Sequence, residues 1–244
     1  MRYAVLNGGK RFRPVLLLRA CEAVGGDPGK ALLPACAVEL IHCYSLVHDD
    51  LPALDNDEMR RGKPACHRKF GEALAILTGD ALLTRAFQLL GEVKPETKAL
   101  PLLRELTEAA GTCGMIGGQV ADILASPSNL SQLDFISQNK TGRLIQASAV
   151  MGALVGTDSA STIKKMREFG ASLGLAFQVA DDIMDGDGYL RVMTSEEARK
   201  KFEGLIKKAK QAAGSFGKRA EGLIQLTDFL ANTIRDDVSL SLKN

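Results

Sequence analysis

Acidic side chains are concentrated at two places in the sequence, and both follow an apolar stretch. The segment HDDLPALDNDE carries five carboxylates within ten positions, from Asp49 to Glu58, directly after AVELIHCYSLV. Asp181, Asp182 and Asp185 follow GASLGLAFQVA in the same way. Clustered carboxylates repel one another unless cations lie between them, and oxygen-only ligand sets suit Mg²⁺, which keeps bound waters and shares its coordination with phosphate oxygens. The pattern indicates a magnesium-dependent site that handles phosphate groups.

Helix geometry decides whether these carboxylates can act together. At about 100° per residue, Asp181 and Asp185 lie within roughly 40° of each other on one helix face, whereas Asp49 and Asp55 would be about 120° apart on a continuous helix. Pro52 lies between the latter two and lacks a backbone N–H, so a kink or a two-residue bulge there would return Asp55 to the side of Asp49. Because helix C-termini disfavour negative charge, two such clusters favour bound metal. A solvated acidic helix end stays the alternative for either cluster alone.

Basic side chains occur where a phosphate ligand would need them. The segment GGKRFRP places Lys10, Arg11 and Arg13 after two glycines, and Arg60 and Arg61 follow the first acidic cluster. Guanidinium and ammonium groups recognise phosphate, and glycines let the backbone approach a ligand closely. A solvent-exposed basic turn before a helix is the alternative for GGKRFRP taken alone.

Two further polar positions lie within apolar helical segments. His42 precedes Asp49 by seven residues, which is two turns on about the same helix face, and it is either a phosphate-facing group or a core histidine. The segment NKTG, at 139–142, adds a lysine and a hydroxyl, or else marks a helix break at Gly142. His48 and His67 are interpreted as structural, because they fit no metal-ligand spacing.

Composition limits the class of protein. Lys and Arg number 31 against 29 Asp and Glu, so the net charge of +2 gives no global field to recruit nucleic acid or an acidic membrane. The five cysteines are odd in number and lack a CxxC pair, which argues against a disulfide framework and a zinc site. No apolar run approaches the roughly 20 residues of a membrane span, and the N-terminus lacks the apolar core of a signal peptide. We therefore expect a soluble, cytoplasmic protein.

Apolar residues recur at three- and four-residue spacing almost throughout the sequence, without short alternating segments bounded by turn signals. This spacing predicts an all-α fold, and the chain length suits a single domain. The predicted helices begin at about Pro14 and Lys30, cover 71–90 and 96–125, end at about Val155, run from Ser159 to Asp185, and include two more in the C-terminal third.

Several segments together resemble a known family. In chain order, GGKRFRP, ELIHCYSLVHDDLPALDNDEMRRGKPACH, FGEALAILTGDALL, GGQVADI, NKTGRLI and GLAFQVADDIMD resemble the trans-isoprenyl diphosphate synthases, and most closely the bacterial-type farnesyl diphosphate synthases. The resemblance runs from about residue 2 to 188 and includes two aspartate motifs, DDx4D and DDxxD. It implies one polyprenyl synthase domain over residues 1–244, built as an all-α barrel of helices around a deep central cavity, usually as a homodimer.

The resemblance also implies a role for each matching residue. Three Mg²⁺ ions would hold the allylic diphosphate, coordinated by Asp49, Asp55 and Asp181 with support from Asp50, Asp182 and Asp185. The same substrate would be contacted by Arg60, Lys140, Thr141 and Gln178. The diphosphate of the second substrate, isopentenyl diphosphate, would be held by Lys10, Arg13, His42 and Arg61.

The implied reaction joins isopentenyl diphosphate head to tail with dimethylallyl or geranyl diphosphate, giving (2E,6E)-farnesyl diphosphate. Product length would follow from cavity depth, because Tyr44 lies five residues before Asp49, roughly 7.5 Å deeper along the helix, with Ser45 beside it. An ordinary core aromatic is the alternative for Tyr44. The alternatives for the whole chain are a geranylgeranyl diphosphate synthase, a terpene cyclase, which would not need GGKRFRP, and a non-catalytic regulatory subunit of a prenyl synthase.

The sequence departs from the family pattern at two places. Family members carry an amphipathic helix before the position of MRYAVLNGGK and a lysine-containing loop, of the form GKxxGKD, after the second aspartate motif. Here the sequence begins at the first position and passes from DDIMDGDG directly into YLRVMTSEEARKK. We expect a domain that lacks the helix and the loop after Gly188. A flexible loop over an empty site is often unordered. We therefore favour the interpretation that this sequence omits these two segments over the interpretation that the protein itself is truncated.

Overall fold

Helices form most of the regular structure, as the apolar spacing predicts. The computed structural model describes residues 1–124 and 129–241, with side chains as far as Ile234. The α-helices are α1 (Arg2–Leu6), α2 (Phe12–Ala23), α3 (Leu32–Asp49), α4 (Cys66–Phe70), α5 (Glu72–Gly91), α6 (Glu96–Ala110), α7 (Met115–Leu124), α8 (Leu130–Ser137), α9 (Arg143–Gly156), α10 (Ala160–Asp185), α11 (Ser195–Gly214) and α12 (Glu221–Ser241). The all-α prediction is confirmed.

Short elements join these helices. A π-helical turn, Gln138–Gly142, connects α8 to α9 without a break, and single 3₁₀ turns occupy Pro28–Ala31, Gly188–Arg191 and Gly217–Ala220. A two-residue antiparallel hairpin, β1 (Met59–Arg60) with β2 (Lys63–Pro64), follows the first acidic cluster. The sequence did not predict this hairpin, because strands of two residues are too short to show alternation.

The boundaries of α10 follow from local chemistry. The Ser159 side chain accepts a hydrogen bond from the backbone N–H of Thr162, which satisfies one of the free donors at the helix start. Gly186 ends the helix in the left-handed region, at φ 71°, where a residue without Cβ is unstrained. The helix therefore ends at Asp185, the last residue of the second acidic cluster, as the sequence predicts.

The prediction of one helix over 96–125 is wrong. Glycines divide it into α6 and α7: Gly111 leaves the helical conformation, with ψ at −158°, and Gly114 approaches the preceding turn so closely that a Cβ would lie 2.1 Å from the Ala109 carbonyl oxygen. The apolar spacing continues on both sides of the break, so periodicity alone does not reveal it. The predicted end, at residue 125, lies outside the described residues.

Two hydrophobic clusters meet along α2 and α9. One contains side chains of α10, α11 and α12, and the other contains side chains of α3, α5 and α6. Leu16 and Leu17, neighbours on α2, belong to different clusters, and a Cβ on Gly152 of α9 would lie 2.2 Å from the Leu17 carbonyl oxygen. Each buried leucine stabilises the fold by roughly 1.5–3 kcal/mol. The closely crossing pair α2–α9 thus holds α3 on one side and α10 on the other.

Two segments have the length and apolar composition of a membrane span, contrary to the expectation from sequence. They are Pro28–Asp49 and Glu72–Gly91, with 56% and 33% of their apolar windows buried. Core helices of globular proteins pass the same test, so these features are weak evidence for a membrane. The lower burial of the second segment reflects the exposed side chains of Leu74, Ile76 and Leu77 on α5.

Candidate functional site

The two acidic clusters face one cavity of about 640 Å³. It lies among α2, α3, α5, α7, α10 and the π-helical turn, and much of its wall is apolar, formed by residues such as Leu83, Met115, Ile116, Val120 and Phe177. The residues predicted from sequence that line it are Arg13, His42, Tyr44, Ser45, Asp49, Lys140, Thr141 and Asp181. The prediction that Asp49 and Asp181 converge in space is confirmed.

The first acidic cluster forms where α3 ends. The chain turns back after Asp49, and the backbone N–H of Asp55 donates to the Asp49 carbonyl oxygen at 2.8 Å. The return of Asp55 to the side of Asp49 is therefore confirmed, although the helix ends there instead of continuing through a kink. A turn of three exposed residues, Pro52, Ala53 and Leu54, leads back to Asp55.

Burial raises the pKa of the two cavity-facing aspartates. The pKa of Asp49 is about 6, because the carboxyl group is partly withdrawn from water and Asp55 adds negative charge beside it, against the attraction of Lys140. The pKa of Asp181 is also about 6, because of burial and the neighbouring Asp185, against the attraction of Arg13. The attraction of Lys140 and of Arg13 is therefore too weak to offset the effect of burial and of the neighbouring aspartates on these two pKa values.

This donor set suits divalent cations that share ligands with a substrate. No group of three or more His, Cys, Asp or Glu side chains close enough to enclose a metal ion occurs within the described ranges. Mg²⁺ needs no such cage, since it is bound through one or two carboxylates and keeps waters and phosphate oxygens as its other ligands. Asp49 and Asp181 line the cavity, and each has a second carboxylate beside it, Asp55 and Asp185 respectively. This arrangement fits Mg²⁺ bound together with a diphosphate.

The second aspartate of each pair is hydrogen-bonded to neighbouring side chains or backbone and does not line the cavity. Asp50 is 2% exposed and accepts hydrogen bonds from Nε of Arg60, at 2.8 Å, and from Nη2 of the same guanidinium. Arg60 also donates to Asp57 at 2.8 Å. Asp50 therefore fixes Arg60 beside the cluster, and Arg60 does not line the cavity.

Asp182 has the equivalent role at the end of α10. It accepts hydrogen bonds from Nε2 of Gln178, at 2.6 Å, and from the backbone N–H of Tyr189, at 3.0 Å. The buried Tyr189 donates its hydroxyl to Asp134 at 2.5 Å, and Lys201 lies 2.7 Å from the same carboxylate. These bonds tie the end of α10 to α8 and α11, and they direct the Gln178 amide toward Asp182 and away from the cavity lining.

Lys140 and Thr141 reach the cavity from the π-helical turn. Such turns are rare and occur often at functional sites, since the extra residue re-aims the side chains around it. Nζ of Lys140 lies 2.6 Å from the Asp122 carboxylate of α7. Sequence reasoning missed Asp122, although it belongs to the GGQVADI segment. It also missed Gln119, whose Oε1 is buried at the cavity wall without a hydrogen-bond partner.

Gly118→Ala should destabilise the protein and displace Lys140. A Cβ at Gly118 would lie 2.2 Å from the Lys140 backbone nitrogen, so α7 and the π-helical turn would have to separate. We expect a loss of about 1–3 kcal/mol in the free energy of unfolding, measured by denaturant titration. Gly204→Ala is the matched control, because nothing lies within 4 Å of its Cβ position. Equal stability of Gly118→Ala and Gly204→Ala would contradict the close contact.

A group of positive charges lies beside the acidic clusters. Arg13 is buried, its Nε has no hydrogen-bond partner, and burial lowers its pKa to about 10. The pKa of His42 lies well below its usual value because of burial and the charges of Arg13 and Arg61, so this imidazole is neutral. Nη1 of Arg61 donates to the Gly8 carbonyl oxygen at 2.6 Å. Arg13 thus presents an unpaired donor at the cavity.

Lys10 lies apart from the cavity lining. Its side chain is exposed, with Nζ 5.9 Å from the centroid of the Phe229 ring. The glycines before it allow a close backbone approach: Gly9 has φ 105°, and a Cβ there would lie 2.6 Å from Cζ of Arg61. The loop before α2 and the residues after β1 are therefore in direct contact.

Tyr44 lies on the cavity wall on α3, before Asp49 in the helix. It is 6% exposed, its hydroxyl has no hydrogen-bond partner, and its ring contacts the edge of His48 with centroids 5.9 Å apart. His48 Nε2 lies 3.0 Å from the Ile76 carbonyl oxygen of α5. Ser45 donates to the His42 carbonyl oxygen at 3.0 Å. The Tyr44 ring therefore packs against His48 of its own helix, and His48 in turn contacts α5.

Known proteins are similar to this chain in sequence and in fold. The polyprenyl synthetase family model matches residues 1–202. A farnesyl diphosphate synthase of Geobacillus stearothermophilus is 50% identical over 194 residues, which cover 77% of this chain and 65% of the relative. Geranylgeranyl pyrophosphate synthase 4 of Arabidopsis thaliana is 41% identical over 258 aligned residues, covering 95% of this chain and 69% of the relative. The apo crystal structure of an FPP/GFPP synthase from Zymomonas mobilis matches with a TM-score of 0.90 and 36% identity, covering 94% of this chain and 86% of that one.

The coverage of these matches defines what they share. The chain spans less than two thirds of the Geobacillus relative. The alignment to the Arabidopsis relative, at 258 residues, is longer than the 244 residues of this chain, so that relative has internal residues without a counterpart here. The family match nevertheless includes both acidic clusters, the basic residues and the π-helical turn. The chain belongs to the polyprenyl synthetase family.

Proposed function

We propose that this chain is a magnesium-dependent trans-prenyltransferase that condenses isopentenyl diphosphate with an allylic diphosphate, dimethylallyl or geranyl, head to tail. The observation that carries the proposal is the cavity itself. Asp49, Asp181 and Lys140 lie at one cavity whose remaining wall is mostly apolar. Such a site can bind a charged diphosphate and a hydrocarbon chain at the same time. The same features occur in a family whose members cited above are named as farnesyl and geranylgeranyl diphosphate synthases.

The allylic diphosphate is assigned to the acidic side of the mouth. Asp49, Asp55 and Asp181 would hold three Mg²⁺ ions, and bound Mg²⁺ would supply positive charge that stabilises the departing diphosphate. Asp50 and Asp182 keep the surrounding groups in place through the bonds described above, and Asp185 adds negative charge beside Asp181. Lys140, oriented by Asp122, and Thr141 contact the same diphosphate, with Arg60 and Gln178 in the adjacent shell.

The second substrate is assigned to the basic side. Arg13 offers its unpaired Nε, and the neutral His42 offers a hydrogen bond without adding charge, while Arg61 and Lys10 lie on the loop side. The double bond of isopentenyl diphosphate attacks the allylic carbon as its C–O bond breaks, and the departing diphosphate accepts the final proton. Apolar side chains such as Phe177 and Met115 exclude the water that would otherwise capture the carbocation.

The product is proposed to be (2E,6E)-farnesyl diphosphate, since the Tyr44 ring closes the cavity wall below Asp49. A geranylgeranyl diphosphate synthase is the second candidate, favoured by the 41% identity to the Arabidopsis enzyme over 95% of this chain. A non-catalytic regulatory subunit is disfavoured because both aspartate motifs are present. A terpene cyclase would have no use for the basic residues beside the site.

The domain is proposed to be a polyprenyl synthase domain that lacks a loop after Gly188. Nine residues, 186–194, join α10 to α11, and they include no lysine. The internal residues of the Arabidopsis relative without a counterpart here agree with this proposal. A cytoplasmic location is proposed because the five cysteines are free in the structure, as is typical of a reducing compartment.

A homodimer is proposed to cover the apolar face of α5. Leu74, Ile76 and Leu77 are exposed there, with Leu77 61% accessible to solvent. An apolar face of this kind is typical of subunit interfaces. Leu77→Lys should therefore convert a dimer into a monomer, because burying an unpaired ammonium in an interface is costly. Light scattering after size exclusion measures the mass. Leu32→Lys, at an exposed leucine of α3, is the control and should stay dimeric; a dimeric Leu77→Lys protein would contradict the proposal.

The activity is tested by incubating the protein with isopentenyl diphosphate, dimethylallyl diphosphate and Mg²⁺, followed by chain-length analysis of the products. We expect incorporation of isopentenyl diphosphate into a fifteen-carbon product that requires Mg²⁺. A twenty-carbon product would favour the second candidate. Cyclic hydrocarbons from an allylic diphosphate alone, or no product in any condition, would contradict the proposed function.

A further inference from the structure

An ion pair outside the assigned site joins the basic loop to α3. Arg11, the residue before α2, donates from its guanidinium to Oε1 of Glu39 and to the carbonyl oxygen of Val5. Glu39 is 7% exposed, although carboxylates are rarely buried unless they are paired. The pair crosses 28 positions of sequence. It therefore fixes the loop to one point on the helix that carries His42 and Asp49.

The backbone at Arg11 is strained in a way that this pair can maintain. Its φ is 50°, in the left-handed region, which is strained for a residue with a Cβ. Such conformations persist when surrounding contacts determine them. Here the contacts are the two bonds of the guanidinium. Loss of these two hydrogen bonds would destabilise the turn at Arg11. The turn sets the direction of the Lys10 side chain before it and of α2, with Arg13, after it.

Glu39 also lies among cations that would otherwise repel one another. The carboxylate acts electrostatically on Arg13 as well as on Arg11, and Arg61 lies near enough to Arg13 to lower its pKa. The other carboxylate acting on Arg13 is Asp181, which is assigned to Mg²⁺. Glu39 is therefore the carboxylate that can balance the basic group while the site is empty.

We propose that Glu39, acting through Arg11, is a positioning residue for the diphosphate of the second substrate: it holds the loop at residues 8–11, directly before α2, in the conformation that presents the basic side chains. The nature of the ligand rests on the proposed function. Neither residue touches the substrate. Their effect is on the affinity of the basic side of the site and not on the acidic side, which is built from α3, α10 and the π-helical turn.

The direction of the effect separates positioning from simple electrostatics. Removing a carboxylate near an anion site adds net positive charge, which by Coulomb attraction alone should strengthen diphosphate binding. Positioning predicts the opposite, since the loop loses its anchor. Glu39→Gln keeps the volume of the side chain and removes its charge. The sign of the change in affinity therefore decides between the two.

The first test is calorimetric titration of the metal-free protein with inorganic pyrophosphate. Without Mg²⁺, the aspartates cannot bind pyrophosphate through a bridging metal ion. We expect Glu39→Gln and Arg11→Gln each to raise the dissociation constant about tenfold or more. The dissociation constant of the double variant should exceed that of either single variant by at most about threefold, because the two residues act as one unit. Glu22→Gln is the matched control, because Glu22 forms an exposed ion pair with Arg19 at 2.8 Å on α2. Equal or tighter binding by Glu39→Gln, or no binding by the parent, would overturn the proposal.

The second test is steady-state kinetics with both substrates. The KM for isopentenyl diphosphate should rise about tenfold in Glu39→Gln, with the KM for dimethylallyl diphosphate within about twofold, and Arg11→Lys should restore most of the loss seen in Arg11→Gln. A purely structural role would lower kcat and the melting temperature with both KM values unchanged, and that result would overturn the proposal. A parent protein without turnover would contradict the proposed function, while the pyrophosphate titration would still decide the role of Glu39.

Discussion

Asp49→Asn and Asp181→Asn should each reduce kcat/KM for condensation by about 100-fold or more at subsaturating Mg²⁺. Each substitution removes one carboxylate from opposite sides of the same cavity while keeping the side-chain size. The amide still offers an oxygen, but it lacks the charge that attracts a divalent cation. Because the departing diphosphate depends on this charge, the loss should be largest when Mg²⁺ is scarce, and raising Mg²⁺ should recover part of it.

The control for the two substitutions is Asp158→Asn. Asp158 pairs with Lys98 at 2.8 Å and is almost fully exposed, far along the chain from either acidic cluster. Its variant should keep parental activity at every Mg²⁺ concentration. Parental rates in either Asp49→Asn or Asp181→Asn at low Mg²⁺ would contradict the assignment of these residues as metal ligands.

Tyr44→Ala should shift the main product from fifteen carbons to twenty or more. The ring lies on the cavity wall, and its removal extends the space available to the growing chain. Its hydroxyl has no hydrogen-bond partner, so the bulk of the ring is the feature that matters. Product length is measured by mass spectrometry after incubation with isopentenyl and dimethylallyl diphosphates.

Two variants check the interpretation of Tyr44. Tyr44→Phe keeps the ring and should give the parental product, whereas Tyr3→Ala removes a ring that does not line the cavity and should also leave product length unchanged. Destabilisation alone would lower the rate of Tyr44→Ala without changing its product. If the product lengths of Tyr44→Ala matched those of the parent, the account of the cavity wall would be wrong.

The fold was predictable where local chemistry and apolar spacing agree. The limits of α10 follow from the cap at Ser159 and the left-handed Gly186, and both features are visible in sequence. The break between α6 and α7 was not predictable from spacing, because it depends on the close backbone approach of Gly114. The π-helical turn was not predicted, and the alternative interpretation of NKTG as a helix break at Gly142 is wrong, because α8 continues into α9 through this turn.

The candidate site was predictable in part, because each acidic cluster lies at a helix end and the family resemblance places those ends together. The sequence did not show that Asp49 faces the cavity while its neighbour Asp50 is bonded to Arg60. About 100° of helix rotation separates adjacent residues, and only packing decides which one points inward. The same division occurs between Asp181 and Asp182, and it explains why paired aspartates are useful at both positions.

Partners far apart in sequence could not be predicted at all. Asp122 meets Lys140 across 18 positions, and Asp134 meets Tyr189 across 55. Neither pair has a spacing that marks it, because each depends on how two helices cross. The ion pair of Arg11 and Glu39 is of the same kind, which is why a basic segment such as GGKRFRP reveals its cations but not the carboxylate that holds them.

The most direct test of the central claim is equilibrium binding of Mn²⁺, as a substitute for Mg²⁺, in the presence of inorganic pyrophosphate. Electron paramagnetic resonance counts the bound ions in the parent, Asp49→Asn and Asp181→Asn proteins. We expect several ions per parent chain that require pyrophosphate, and about tenfold weaker binding in both variants, because the two acidic clusters hold one shared metal–diphosphate group. Parental binding in either variant would contradict the claim that Asp49 and Asp181 act together across the cavity.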